Sequence, residues 1–298
     1  MSNHSYHAPS TLPDMLRLLG AQGDAARTCL LAGGSDLIVQ MRSGRVQPGS
    51  LVDLKRVPEL VGIHRDGPGW RIGAATPCAL IGEHLELRAD WPGVVEAAML
   101  IGSKQVQSRG SLGGNLCNGS PAADSVPALI AAGAVAVIAW SDPSGAMKTR
   151  EQAVESIPAG PGRTTLAPGE VVVAFKLPAR GVRAADAYLR LIPRTEMDIA
   201  VVGCAVSLQI GTDGRIAAAR VALGAVAPTV LLVPAAADAI IGSTLDAAAI
   251  AKLEAAARAA CRPIDDKRGT AHYRTQVAGV LARRAAQTAL SRAQRHGT

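Results

Sequence analysis

Two glycine pairs carry most of the chemistry this chain can offer. The first lies in Leu30 to Met41, LLAGGSDLIVQM, where Gly33-Gly34-Ser35-Asp36 interrupts an apolar run that resumes at Leu37. The second lies in Ser108 to Leu129, SRGSLGGNLCNGSPAADSVPAL, and centres on Ser111-Leu112-Gly113-Gly114-Asn115. Adjacent glycines let a backbone turn sharply and let a ligand come close, because no Cβ stands in the way. Successive N–H groups in such a turn converge on anions. Ser35 and Ser111 each add a hydroxyl, and Asn115 adds an amide with donors and an acceptor. Asp124 follows Asn115 by nine residues, and its carboxylate suits sugar hydroxyls. One Gly-Gly pair alone reads as an ordinary tight turn. Two, each with a hydroxyl, can clamp the two phosphates of one dinucleotide from opposite sides. Neither follows the G-x-x-x-x-G-K-[ST] or the G-x-G-x-x-G pattern.

The elements around them follow from periodicity and turn residues. Residues 8–22 read as a helix capped by Ser10 or Thr11, with Pro13 in its first turn. Arg27 to Leu31 and Ser50 to Leu54 read as strands enclosing the first glycine turn, a small β-α-β unit. A hairpin turns at Asp66-Gly67-Pro68-Gly69, and helices follow over Thr76–Leu87 and Val94–Ile101. Past the second glycine turn come a short helix at Pro127–Ala132 and strands at Ala134–Trp140 and Glu170–Leu177. A boundary falls near residue 180. Beyond it the pattern predicts strands at 185–191, 200–210 and 217–222, then helices at 244–260 and 270–295. The fold class is α+β, ending in a three-stranded antiparallel sheet with helices on one face.

Composition excludes several classes. The chain has 298 residues, 48% of them hydrophobic but only 2% aromatic, so its core is built from aliphatic side chains. The charge of +7 invites a nucleic-acid reading, but the arginines are dispersed and stacking rings are scarce. The five cysteines, at 29, 78, 117, 204 and 261, form no C-x-x-C, so no zinc or iron–sulfur framework is visible. They fit reduced thiols in the cytoplasm. No run reaches the length of a membrane span, and the polar start, with His4 and His7, reads as a mobile end rather than a leader or a metal site. There is no acid–base dyad and no G-x-S-x-G nucleophile elbow.

AGGSDL at 32–37, SLGGN at 111–115 and Asp124 in PAADSVPAL resemble the FAD-binding medium subunit of the molybdenum hydroxylases, the xanthine dehydrogenase and carbon monoxide dehydrogenase family. Leu166 to Glu170 (LAPGE), Arg194 to Ile199 (RTEMDI) and Pro263 to Arg274 (PIDDKRGTAHYR) extend the resemblance over nearly the whole chain. It implies a PCMH, or vanillyl-alcohol-oxidase-type, FAD-binding domain over 1–180, in subdomains of about 1–56 and 57–180, and a carbon monoxide dehydrogenase flavoprotein-like domain over 181–298. It implies non-covalent FAD, its pyrophosphate held by Ala32, Gly33, Gly34, Ser35, Asp36 and Leu37 on one side and Ser111, Gly113, Gly114 and Asn115 on the other. By the same resemblance Asp124 accepts a sugar hydroxyl, Ile101 replaces an aromatic flank, Val171 and Val172 pack by the flavin ring, Arg190 lies near it, and Asp198 is structural.

The partners so implied are a small subunit with [2Fe–2S] clusters and a large subunit with a molybdenum–pyranopterin, assembled as a dimer of heterotrimers. Electrons would pass from the clusters through FAD to an external acceptor. Two other readings stand beside this one. One is a stand-alone flavoenzyme of the same FAD fold; the other is a nucleotide-binding module without turnover.

Overall fold

The computed structural model describes residues 4–21 and 28–295. Its first unit is a parallel sheet of β1 (Ser5–His7), β2 (Thr28–Leu31) and β3 (Ser50–Asp53), with β3 central. Helices α1 (Leu12–Ala21) and α2 (Leu37–Arg42) make the crossovers. Ser5–His7 is therefore not part of a mobile end: it pairs with Ser50–Val52, and the Tyr6 hydroxyl donates to Asp53 over 2.6 Å. Alternation over three polar residues is too short to read as a strand.

The second unit is an antiparallel sheet built from β4 (Ile63–Asp66), β5 (Gly69–Gly73), β6 (Val135–Ser141), β7 (Met147–Ala153) and a later strand, β10 (Val171–Leu177). Their order is β4-β5-β10-β6-β7. Between β5 and β6 run α3 (Cys78–Glu83), α4 (Leu85–Asp90), α5 (Pro92–Met99), α6 (Lys104–Gln107), α7 (Leu112–Cys117) and α8 (Ser125–Ala131). The helix expected over Thr76–Leu87 is two helices. They meet at His84, whose Nδ1 accepts the Leu87 N–H over 3.2 Å and starts the second. Strands β8 (Pro158–Gly160) and β9 (Arg163–Thr164) form a separate small hairpin.

Central strand β10 serves two cores. Val171 and Val173 face the first unit, where α1 contributes Met15 and Leu16, while Val172 faces the opposite side. A register irregularity between Val172 and Ala174 shifts the alternation, so Phe175 and Leu177 join Val172. One extra residue in a strand has this effect on side-chain parity. Phe175, the chain's single phenylalanine, is fully buried there.

The third unit has four strands where three were expected: β11 (Ala184–Leu191), β12 (Val202–Ile210), β13 (Ile216–Gly224) and β14 (Leu231–Leu232). The added strand is two residues long, below what periodicity can resolve. Helices α9 (Pro234–Asp238), α10 (Ala247–Ala260) and α11 (Ala271–Arg295) cover one face. The other face is not open. Tyr188, Ala205 and Ala222 enter the core of the second unit, under α5 and α8. The unbroken apolar run from Ala200 to Val206 signals this double burial, since a half-exposed strand alternates.

Charge pairs lock the junction. Asp186 is buried; it accepts the Val94 N–H at the start of α5 over 3.2 Å and pairs with Arg180. Arg292 of α11 reaches Glu96 of α5 and donates to the Asp186 carbonyl over 2.8 Å. Within the third unit, buried Arg274 donates to the Val201 carbonyl and to Asp266, each over 2.6 Å. Arg274→Met should lower stability by about 1–3 kcal/mol, the cost of leaving the buried Val201 carbonyl unpaired. The expected readout is a lower urea midpoint at unchanged slope.

Candidate functional site

The first wall of the site is the turn between β2 and α2. Gly34 has φ +77°, in the left-handed region where a side chain is strained. Gly33 packs so tightly that a Cβ would stand 1.9 Å from the Arg109 carbonyl oxygen. Among the described residues, the N–H groups of Gly33, Gly34, Ser35 and Asp36 donate to no backbone carbonyl. Unpartnered amides running into a helix start are the donor set an anion needs.

The second wall differs from the expected turn. Ser111 is extended, and its hydroxyl accepts the Gly114 N–H over 3.2 Å, so it caps the helix α7. The Gly113 N–H donates to the Ala74 carbonyl over 2.9 Å. These two amides are spent inside the protein. The glycines act here by what they lack. A Cβ on Gly113 would lie 2.6 Å from the Ala74 oxygen, whereas one on Gly114 would meet only Ser111 Oγ, at 3.3 Å, and otherwise project into open space. A ligand can therefore lie against the backbone of Gly114.

Between the walls is a cavity of about 350 Å³. Of the residues expected at the site, Ala32, Gly33, Gly34, Ser35, Asp36, Leu37, Ile101, Ser111, Gly114 and Asn115 line it. Gly113 lies behind the wall. Among the described residues, no aromatic side chain lines the cavity. Asn115 Oδ1 accepts from the Ser125 N–H (3.0 Å) and hydroxyl (2.7 Å), which leaves its NH₂ for a ligand. Sequence reasoning missed Gln40 and Asn118, which also line the cavity and bond each other over 3.1 Å. Each stands four residues after a motif residue, Asp36 or Gly114. Helical spacing gives the signal, but reading residues 111–115 as a turn hides it. Cys29 and Cys117 also line the cavity, and Cys117 is exposed.

The remaining candidates lie off the cavity wall. Val171 and Val172 are buried in the two cores that β10 divides. Asp124 accepts from the Tyr188 hydroxyl over 3.0 Å and from Arg190 over 2.7 Å. Burial pushes its carboxyl up, against the opposing pull of Arg190 and Tyr188. This buried cluster joins the cavity through sequence neighbours: Ser125 holds Asn115, and Asp124 precedes it. Glu170 of the LAPGE motif forms a two-pronged pair with Arg150, both contacts 2.9 Å. Asp198 pairs with Arg268 over 3.1 Å and Arg194 over 3.3 Å, a structural carboxylate. Among the described residues no group of three or more His, Cys, Asp or Glu could hold a metal ion. Nor is any helix long and apolar enough to cross a membrane.

Residues 2–180 match the family model of the FAD binding domain in molybdopterin dehydrogenase, and residues 187–289 match that of the CO dehydrogenase flavoprotein C-terminal domain. The chain is 37% identical over 290 residues to the carbon monoxide dehydrogenase medium chain of Afipia carboxidovorans, covering 97% of each. It is 32% identical over 228 residues to a putative xanthine dehydrogenase FAD-binding subunit of Escherichia coli K12, covering 76% of this chain and 75% of that one. The structure superposes on a chain of reconstituted CO dehydrogenase from Oligotropha carboxidovorans with a TM-score of 0.90 at 33% identity, covering 97% of this chain and 98% of that one. The free amides of residues 33–36, the backbone open at Gly114 and this relationship agree, and the chain belongs to the FAD-binding medium subunits of the molybdenum hydroxylases.

Proposed function

We propose that this chain carries electrons from [2Fe–2S] clusters in a small partner subunit, through its FAD, to an external acceptor. A large partner subunit with molybdenum–pyranopterin would oxidise the substrate, and the assembly would be a cytoplasmic dimer of heterotrimers. FAD supplies the redox chemistry when bound, taking electrons singly and releasing them as a pair. The protein's part is to bind and orient it. The amides of Gly33 to Asp36 would hold the pyrophosphate, Gly114 would give it room, and the Asn115 NH₂ would add a donor. Asp124 has lone pairs beyond those used by Tyr188 and Arg190 and would accept a sugar hydroxyl, with Arg190 beside the flavin end. Val171 and Val172 would support the ring from the core beneath rather than from the cavity wall.

The observation that carries this reading is the cavity between two glycine segments, with donors on one wall and bare backbone on the other. The test is purification from the native host. Support would be a flavin spectrum, acid-released FAD, molybdenum, and two further chains. A colourless chain that takes up no added FAD would overturn it.

Three outcomes are expected. Gly114→Val should abolish FAD retention, because its side chain would enter the cavity; a variant with full flavin content would contradict this. Asp124→Ala should weaken FAD binding by about 1–3 kcal/mol, measured by fluorescence titration alongside a melting curve that separates affinity from stability. Desolvation pushes the Cys117 thiol up to about 12, although the residue is exposed. It should therefore react with iodoacetamide slowly in the flavin-free protein, faster at alkaline pH, and be shielded by FAD, while buried Cys78 and Cys204 stay unlabelled in both states.

A further inference from the structure

The cavity carries an unbalanced charge. Seventeen of the described residues line it, and among these Asp36 is the one carboxylate, with no lysine or arginine. Its side chain makes no hydrogen bond to cap α2 and has no ion pair among the described residues. Asp36 is exposed to solvent, yet partial burial holds its carboxyl above the usual range, with no charged neighbour among the described residues to oppose it.

Among the described residues, the charged and titratable groups on nearby elements do not correct the imbalance. Lys55, after β3, donates to the Ala32 carbonyl over 3.1 Å and pairs with Asp53 over 2.7 Å. Arg42, at the end of α2, and Arg109, before α7, are exposed and do not line the cavity. The remaining titratable groups on the wall are the thiols of Cys29 and Cys117, which are neutral when protonated.

FAD brings a pyrophosphate with a negative charge on each phosphate. Inside a partly enclosed cavity, like charges raise the pKa of the weaker acid until it holds its proton. A protonated carboxyl is then a donor rather than a repelling acceptor. We propose that Asp36 takes up one proton from solvent when FAD binds, making FAD affinity dependent on pH. This inference rests on the proposed placing of the pyrophosphate.

The sign follows from linkage. Binding raises the Asp36 pKa from its empty-site value to a higher bound value. Affinity is full below the empty-site pKa. It falls by at most about tenfold per pH unit as pH rises through the interval between the two, then levels off.

The test is calorimetric titration of FAD into the flavin-stripped full-length chain, with any chains that accompany it. It is run in two buffers of different ionisation enthalpy, from mildly acidic to mildly alkaline pH. The wild type should take up close to one proton per FAD within that interval. Asp36→Asn and Asp36→Ser should take up none, lose the pH slope, and bind FAD at least tenfold more tightly at alkaline pH. Circular dichroism checks that both fold. FAD binding without proton uptake would overturn the proposal. So would weaker binding by both variants, which would mean an ionised Asp36 accepting a sugar hydroxyl. A third contrary result is affinity that needs magnesium and collapses with EDTA, placing a metal between carboxylate and pyrophosphate. No binding by any of the proteins would remove the FAD site itself, and this proposal with it.

Discussion

The close approach of Gly33 to the Arg109 carbonyl fixes where the site can exist. A Cβ there would lie 1.9 Å from that oxygen, so the first unit meets the segment leading to α7 backbone against backbone. From this contact the two walls diverge. One ends in the free amides of residues 33–36, the other in the bare backbone of Gly114. The glycines therefore have separate duties. Gly33 and Gly113 let pieces of the protein touch, Gly34 supplies a left-handed turn, and Gly114 leaves room for what binds.

The rest of the chain holds those walls still. Core residues of α1 and β10 seat the first unit on the central sheet, and β10 divides its side chains between two cores. The C-terminal sheet is buried on both faces and joins the second unit through α5 and α8. Its first strand sends Tyr188 and Arg190 to Asp124, next to the Ser125 that orients Asn115. A buried carboxylate needs such partners, because leaving it alone in a low dielectric is costly. The C-terminal unit thus bears directly on one wall of the cavity.

Much of this was legible in the residues. The glycine pairs, the β-α-β start, the hairpin at Asp66–Gly69 and the two long C-terminal helices all have local causes: missing side chains, turn residues and helical spacing. What was hidden depends on partners distant in the chain. Ser111 to Asn115 has the composition of a turn, yet Ser111 caps a helix once Ala74 takes the Gly113 amide. Asp124 looks free in the sequence, and only the return of β11 supplies Tyr188 and Arg190. Strand β7, MKTREQA, is too polar to stand out and owes its form to pairing with β6. Tertiary contacts override weak local patterns in each case.

The measurement that bears most directly on the account is an experimental structure of the flavin-loaded protein. The account predicts pyrophosphate density within hydrogen-bond reach of the amides of Gly33 to Asp36 and in van der Waals contact with Gly114. Flavin density elsewhere on the chain, with this cavity holding only water, would contradict it.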